Sequence, residues 1–252
     1  MIQSLYAAAA GMAAQQTGID LISNNLANAN TTGYKAVRGE FADLLYQQLA
    51  PAGVDVGAGS RLAATQRDFS MGSLQRTENP LDLAVGGAGF FHLKRPDGSD
   101  VYTRDGAFSI DNQGRIVERN GLLLQGDAGP IILPAGTSGL LVRPDGSVVY
   151  QDANHKDVLA GRIELASFAN PAGLSALGDN LYAPTVASGN ANLGYPGAGQ
   201  RGLLEQGALE ASNVQVVQEM IGLIVAQRTY ELNSKAVQSS DEMMGIANNL
   251  RR

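Results

Sequence analysis

Along the first thirty positions, apolar residues recur at alternating spacings of three and four. Leu5, Ala8, Met12, Gln15, Ile19, Ile22 and Leu26 make an a/d seam, apolar except at Gln15. The pattern predicts a helix from about residue 3 to 28, roughly 39 Å long at about 1.5 Å per residue. Asn28, Asn30 and Gly33 then supply stop and turn chemistry. Residues 213–250 contain no proline and repeat the design. Ile221, Val225, Leu232, Ala236, Met243 and either Ile246 or Ala247 fall on one side of a second helix. Met220, Leu223, Tyr230, Val237 and Met244 form another apolar line beside the first. Ser212-Asn213 stands where an N-cap belongs, Glu219 brings negative charge to the helix start, and Arg251 and Arg252 bring positive charge to its end. Neither helix buries its stripe alone. The simple expectation is an antiparallel hairpin of the two. Two apolar faces on the second helix add the expectation of packing on neighbouring copies.

Between the helices the pattern changes to short runs of strand formers: 101–103, 108–110, 122–124, 131–133 and 148–150. Asp97-Gly98, Asp105-Gly106, Asn120-Gly121 and Asp145-Gly146 punctuate them and suit tight hairpins. Arg95-Pro96-Asp97-Gly98-Ser99 recurs as Arg143-Pro144-Asp145-Gly146-Ser147, which predicts two similar hairpin tips. The fold class is therefore α+β: a discontinuous, coiled-coil-like helical domain from both termini, and a β-rich middle domain.

Composition narrows the function. The 252 residues are 44% hydrophobic and only 17% charged, so much of the surface is expected to be covered by something other than water. A net charge of -6 without a basic stripe excludes a nucleic-acid partner. The absence of cysteine excludes disulfides, thiolate metal sites and cysteine nucleophiles. No stretch approaches the ~20 apolar residues of a membrane span, so no membrane insertion is expected. Ala7 to Ala10 lie in an apolar run, but no Lys or Arg precedes Lys35, so a cleaved signal peptide is not expected.

Candidate chemistry is sparse. Gly197-Ala198-Gly199-Gln200-Arg201-Gly202 matches the dinucleotide fingerprint in letters, yet polar loop precedes it instead of a strand. It reads as a flexible connector leading to the second helix. His92 should alternate outward on a strand, and His155 sits in a polar turn; neither has metal-ligand spacing around it. Asp82, Asp105 and Glu118 read as turn acceptors or surface charges. Asn30-Thr31-Thr32 has the letters of a glycosylation acceptor, but its place at a helix end favours capping. No catalytic, cofactor or metal site is expected, and the chain reads as a structural protein, not an enzyme. Two readings from other classes are a carbohydrate- or surface-binding β-module on helical stalks and a hydrolase hidden in the β region.

Three motifs carry a family resemblance. The first is Ile22 to Lys35, with Asn24, Asn25, Leu26, Ala27, Asn28, Gly33, Tyr34 and Lys35. The second is Asp82-Leu83-Ala84-Val85, Gly89-Phe90-Phe91 and Tyr102 to Phe108. The third is Leu209 to Val214, with Ser212 and Asn213, then Gln227 to Lys235, with Arg228, Tyr230, Glu231, Asn233, Ser234 and Lys235. In this order they span almost the whole chain and resemble the bacterial flagellar rod and hook proteins. The stretch from Tyr230 to Met243 is most similar to the distal-rod branch. The short bridge from Leu49 to Gly59 departs from the distal-rod pattern and leaves a proximal-rod assignment open.

The resemblance implies a self-assembling subunit of the flagellar basal-body rod, a hollow helical drive shaft that carries torque from motor to hook. It implies an inner-tube domain from 1–35 and 208–252, an extended arm over 36–75 and an outer β-rich domain over 76–207. Expected partners are further copies, other rod and hook subunits, ring proteins around the rod, and the type III export apparatus, which exports such subunits without signal cleavage. Leu5, Met12, Ile19, Ile22, Leu26, Ile221, Val225, Leu232, Ala236 and Met243 are the predicted assembly contacts.

Overall fold

A computed structural model describes residues 2–44, 46–49, 54–134, 138–152 and 156–249. The chain divides into two units: Met1–Asn28, Ala36–Asp68 and Val214–Arg252 make the first, Ala29–Lys35 and Phe69–Asn213 the second.

In the first unit, α1 (Ile2–Ala27) and α2 (Val216–Asn249) pack as an antiparallel hairpin. Gly11 faces Asn233, Ile22 faces Gly222 and Asn25 bonds Glu219. The same unit holds β1 (Val37–Asp43), β2 (Tyr46–Leu49), β3 (Val54–Gly57) and β4 (Ser60–Arg67). β1 pairs with β4 from Val37↔Arg67 to Asp43↔Ser60, with a bulge at Glu40/Phe41, and β2–β3 carries the hairpin onward. This ribbon lies on α1, and the helix face beneath it is small. A Cβ added at Gly59 would meet Ala7 and Ala10, and one at Gly18 would touch the Phe41 ring. Asn25 secures the ribbon's start: its Oδ1 accepts from Val37 N at 2.9 Å while its Nδ2 donates to Val37 O at 2.8 Å. The segment read as an extended arm thus clusters with the helices up to Asp68.

The second unit is a β structure. Its strands are β5 (Leu74–Arg76), β6 (Leu83–Gly86), β7 (Phe90–Lys94), β8 (Asp100–Thr103), β9 (Phe108–Ile110) and β10 (Ile116–Glu118). They continue as β11 (Leu123–Gly126), β12 (Gly129–Pro130), β13 (Ser138–Val142), β14 (Ser147–Gln151) and β15 (Asp157–Arg162). The last are β16 (Leu165–Ser167), β17 (Ser175–Gly178), β18 (Leu181–Ala183), β19 (Asn192–Gly194), β20 (Leu203–Gln206) and β21 (Ala208–Glu210). The main sheet runs β17-β18-β8-β7-β11-β10-β9. β7 gives one edge to β8 and shares the other between β11, at Leu93–Lys94, and β16, at Phe90–Phe91. β13-β14-β15 form a separate sheet, and β20 and β21 return to pair with β6 and β5.

β7 is buried on both faces, which explains the core. Phe91 and Leu93 enter the larger aliphatic cluster with Val101, Leu124 and Leu165. Phe90 enters an aromatic cluster with Tyr102, Phe168 and Tyr182. Period-two alternation sends His92 to that aromatic side, where it is buried and stacks on Tyr102. The outward His92 expected from sequence is therefore corrected: the alternation holds, but a second layer covers the face.

The two Arg-Pro-Asp-Gly-Ser tips fold alike. Arg95 N donates to Ser99 O and Arg143 N to Ser147 O, both at 2.9 Å, and each Asp accepts from its Ser backbone N. Residues 131–133 depart from the predicted strand. β12 ends at Pro130, and the following segment pairs through a single bridge, Ile132 with Arg115, flanked by Ile116 N donating to Ile131 O at 3.1 Å and Leu133 N to Gly114 O at 2.7 Å. α2 starts at Val216, so Ser212-Asn213 is not its N-cap; Glu219 N bonds Gln215 O in the first turn. His155, Arg251 and Arg252 lie outside the described residues. Among the described residues no helix is long and apolar enough to cross a membrane.

The double bond between Asn25 and Val37 can be tested. Asn25→Ala should destabilise the helical unit by about 2–4 kcal/mol, the net value of three lost hydrogen bonds, one of them to the Glu219 carboxylate. Asn25→Asp should cost more, because it sets a second carboxylate against Glu219 Oε1. Urea titration followed by far-UV circular dichroism reads both.

Candidate assembly surface and the junction of the motifs

α2 buries its small face and exposes its large one. Toward α1 it turns Gly222, Leu223, Ala226, Thr229, Asn233, Val237, Ser240 and Met244, all buried or half-buried. Seam hydroxyls bond their own helix: Thr229 Oγ1 donates to Val225 O and Ser240 Oγ to Ala236 O, both at 2.9 Å. The opposite face carries Val216, Val217, Met220, Ile221, Ile224 and Val225, and further along Leu232, Ala236, Met243 and Ile246, all exposed. Val217 is 70% exposed. The second apolar line read from sequence therefore supplies most of the hairpin seam, through Leu223, Val237 and Met244, while the first line faces away from α1. On α1, Leu5, Met12, Ile19, Ile22 and Leu26 are all half-buried, and Ala14 is the buried centre of the helix.

The family-motif residues separate by unit. On α1, Asn24 and Ala27 are exposed, and Asn28 caps the helix end by donating to Asn24 O through both its backbone N (3.2 Å) and its Nδ2 (2.9 Å). On α2, Arg228 and Glu231 form an exposed pair at 3.1 Å, of a kind that adds little stability. Tyr230 and Lys235 are exposed, and Asn233 and Ser234 half-buried.

In the β unit the remaining motif segments converge on one carboxylate. Lys35 and Glu210 are fully buried, and Lys35 Nζ lies 2.5 Å from Glu210 Oε1 while also donating to Ser70 O at 2.6 Å. Arg104 Nη1 donates to Glu210 Oε2 at 3.2 Å, and Gly72 N to Oε1 at 2.9 Å. Arg104 also sits over the Phe90 ring, 5.2 Å from its centre. Burial holds the Arg104 guanidinium below its ordinary value, against the opposing pull of the Glu210 charge. The backbones close around the pair. Gly33, at φ +67, donates to Glu210 O at 2.8 Å, and any Cβ there would lie 2.6 Å from Asp105 N. Tyr34 and Ser212 are buried, and Asn213 Nδ2 donates to Ser70 Oγ at 3.1 Å. Arg104 and Glu210 stand inside two of the motifs, where no local pattern marks their role. Their signal is a charge within a run that the structure buries.

The other candidates resolve plainly. His92 Nε2 lies 3.0 Å from Asp100 Oδ1, a structural pair beside Tyr102, whose phenol burial pushes up to about 12. Arg201, within the Gly197–Gly202 segment, donates to Leu165 O at 3.0 Å and to Asn192 O at 2.8 Å. The glycine-rich segment is thus a pinned turn between β19 and β20, not a free connector to α2. Asp105 and Glu118 are turn acceptors, from Ala107 N and Asn120 N, but buried ones. Burial raises both carboxyls above their ordinary values, and hydrogen bonds only partly offset it.

This arrangement, two terminal helices and a β unit closed by the motif segments, defines a class. Residues 5–35 match the family described as flagella basal body rod protein, 84–150 the flagellar hook protein FlgE/F/G D1 domain, and 205–250 the flagellar basal body rod FlgEFG protein C-terminal region. The chain belongs to the flagellar basal-body rod protein family and is a structural subunit of that kind. Within it, the chain is 45% identical to the flagellar basal-body rod protein FlgG of Borreliella burgdorferi, with all of both chains covered. It is 42% identical to FlgG of Caulobacter vibrioides over 99% of this chain and all of that one. It is 39% identical to FlgG of Buchnera aphidicola subsp. Baizongia pistaciae over 97% of this chain and 98% of that one. These full-length matches favour FlgG over the proximal-rod reading that the short Leu49–Gly59 bridge left open.

Two outcomes follow from the junction. Glu210→Ala leaves Lys35 and Arg104 buried without their shared carboxylate and should cost about 3–5 kcal/mol in urea unfolding, while Glu210→Gln, which keeps the shape, should cost less. The raised Asp105 and Glu118 set a pH dependence. Their favourable term is complete below the ordinary values of 3.8 and 4.5 and is lost as pH rises through the higher folded-state values. Through these two groups the urea midpoint should therefore gain as pH falls from neutral toward those ordinary values. The Asp105→Asn/Glu118→Gln double variant should start higher and show a flatter profile.

Proposed function

We propose that the outward apolar face of α2 is the surface on which copies of this chain build the distal rod. One observation carries the reading: Val216, Val217, Met220, Ile221, Ile224 and Val225 are exposed together over the first three turns of the helix. Contiguous apolar exposure of this kind marks an interaction site in a soluble chain. Burying each such side chain contributes about 1.5–3 kcal/mol before ordering costs. A few of them buried against a neighbour suffice to hold an assembly. The half-buried α1 residues Leu5, Met12, Ile19, Ile22 and Leu26 extend the contact, with Leu232, Ala236 and Met243 farther along α2. Contacts between two different surfaces of one chain propagate into a helical filament when the rotation does not close.

The terminal helices are then the inner tube, the β1–β4 ribbon the arm, and the β unit the outer domain. The family resemblance supports the remaining partners: other rod and hook subunits, ring proteins around the rod, and the type III export apparatus, which passes the chain without cleavage. The role is mechanical, the transmission of torque, with no catalysis and no cofactor.

Ile221→Asp/Ile224→Asp tests the surface. Both side chains are exposed, so the purified variant should keep its circular dichroism and urea midpoint. Cells relying on it should build no rod past the variant's level and should not swim. Normal rods and swimming would remove α2's outward face as the assembly surface.

A further inference from the structure

Residues 29–35 leave the helical unit at Asn28 and return to it at Ala36, yet they cluster with the β unit. Both ends are held on the helical side. Asn28 Nδ2 donates to Asn24 O, Asn25 pins Val37 by two hydrogen bonds, and Asp68 N donates to Ala36 O at 2.8 Å. The residues between form a strap. None of them lies in a helix or strand, so the strap adds nothing to the sheet ladders.

The strap seats at three places on the β unit. Gly33 N donates to Glu210 O on β21 at 2.8 Å, and Asn180 Nδ2, in the turn between β17 and β18, donates to Thr32 O at 2.7 Å. Lys35 Nζ donates to Ser70 O at 2.6 Å and to the Glu210 carboxylate at 2.5 Å. The burial of Tyr34 adds to these bonds and makes the seated form the major one.

Lifting the strap strands no charge. Lys35 goes into water with it, and Glu210 keeps Arg104 Nη1 at 3.2 Å and Gly72 N at 2.9 Å. Glu210 and Arg104 then balance one to one, whereas the seated strap sets two buried cations against one carboxylate. Asp105 loses the Thr32 hydroxyl but keeps Ala107 N at 3.1 Å. The main sheet and the β20–β6 and β21–β5 pairs are complete without residues 29–35. A local opening that spares the sheets is the kind of low-cost excursion native proteins make.

We infer that the strap is a detachable clasp: residues 29–35 lift out of the β unit as one piece while that unit stays folded. With the clasp seated, four chain crossings join the two units; with it lifted, two remain, at 68–69 and 213–214. The clasp thus switches the chain between a doubly secured and a singly secured linkage. The inference rests on this chain's own hydrogen bonds and not on the rod-subunit reading.

Amide exchange of the full chain, read residue by residue by NMR, tests it. Gly33 N is hydrogen-bonded, so its exchange reports the opening and not mere surface exposure. It should exchange about tenfold or more faster than the amides of β7, a strand paired on both edges, and low urea should barely accelerate it. Exchange of Gly33 no faster than that of β7 overturns the clasp. Gly33→Ala is the second arm. Its Cβ would stand 2.6 Å from Asp105 N at φ +67, so the strap cannot seat. The β7 amides should stay within about threefold of their wild-type rates. Loss of their protection overturns the clasp, because the strap is then a part of the β unit's fold.

Discussion

The β unit is organised around one buried carboxylate. Glu210 ends β21 and accepts from Lys35, Arg104 and the Gly72 backbone. Those residues come from the segment before β1, the turn after β8 and the stretch before β5, so one side chain fixes three chain crossings. Taking three charges out of water is expensive, and such a cluster persists only where its geometry is nearly complete. Glycine makes that geometry reachable. Gly33 bonds the Glu210 carbonyl, and a Cβ at Gly106 would lie 1.6 Å from Leu83 O, so the backbones approach where no side chain could stand. The order of the motifs along the chain is thereby explained: each supplies one side of the same junction.

Much of the fold was legible because it is periodic. Spacings of three and four located α1 to within a residue or two, and the Asp-Gly dipeptides located both similar hairpin tips. What was not legible depends on partners distant in sequence. Lys35 and Glu210 stand 175 residues apart and no local pattern joins them. His92 obeyed its alternation, yet the aromatic cluster on its face draws on Tyr102 of β8, Tyr182 of β18 and Phe168 just after β16. The start of α2 was displaced because Asn213, a good cap by type, bonds Ser70 in the β unit and Ser212 is buried there. On the surface, both apolar lines of α2 were visible from sequence. Which of them turns toward α1 depends on residue size, since Gly222, Ala226 and Ser240 admit a neighbouring backbone and Ile221 and Val225 do not.

That division of faces accounts for a composition feature that is otherwise odd. A chain with only 17% charged residues should be hard to keep in water unless its apolar surface has a destination. In the helical unit the apolar bulk lies outside the hairpin, opposite to the arrangement of a free-standing helical bundle. The intrachain seam sets the shape of the subunit, and the proposed assembly surface gives the outward apolar face its use.

The seam has a mechanical side. Gly11 sits against the Asn233 amide so closely that even a methyl group there would stand 3.0 Å from its nitrogen. A polar end wedged against a glycine acts as a detent. Sliding α2 along α1 by one turn would drive the amide into Ala8 or Gln15, where there is no such recess. Shear applied along the pair is therefore met by a steric stop instead of by greasy contacts that could creep. In a rod subunit such a stop keeps the two helices in step under load.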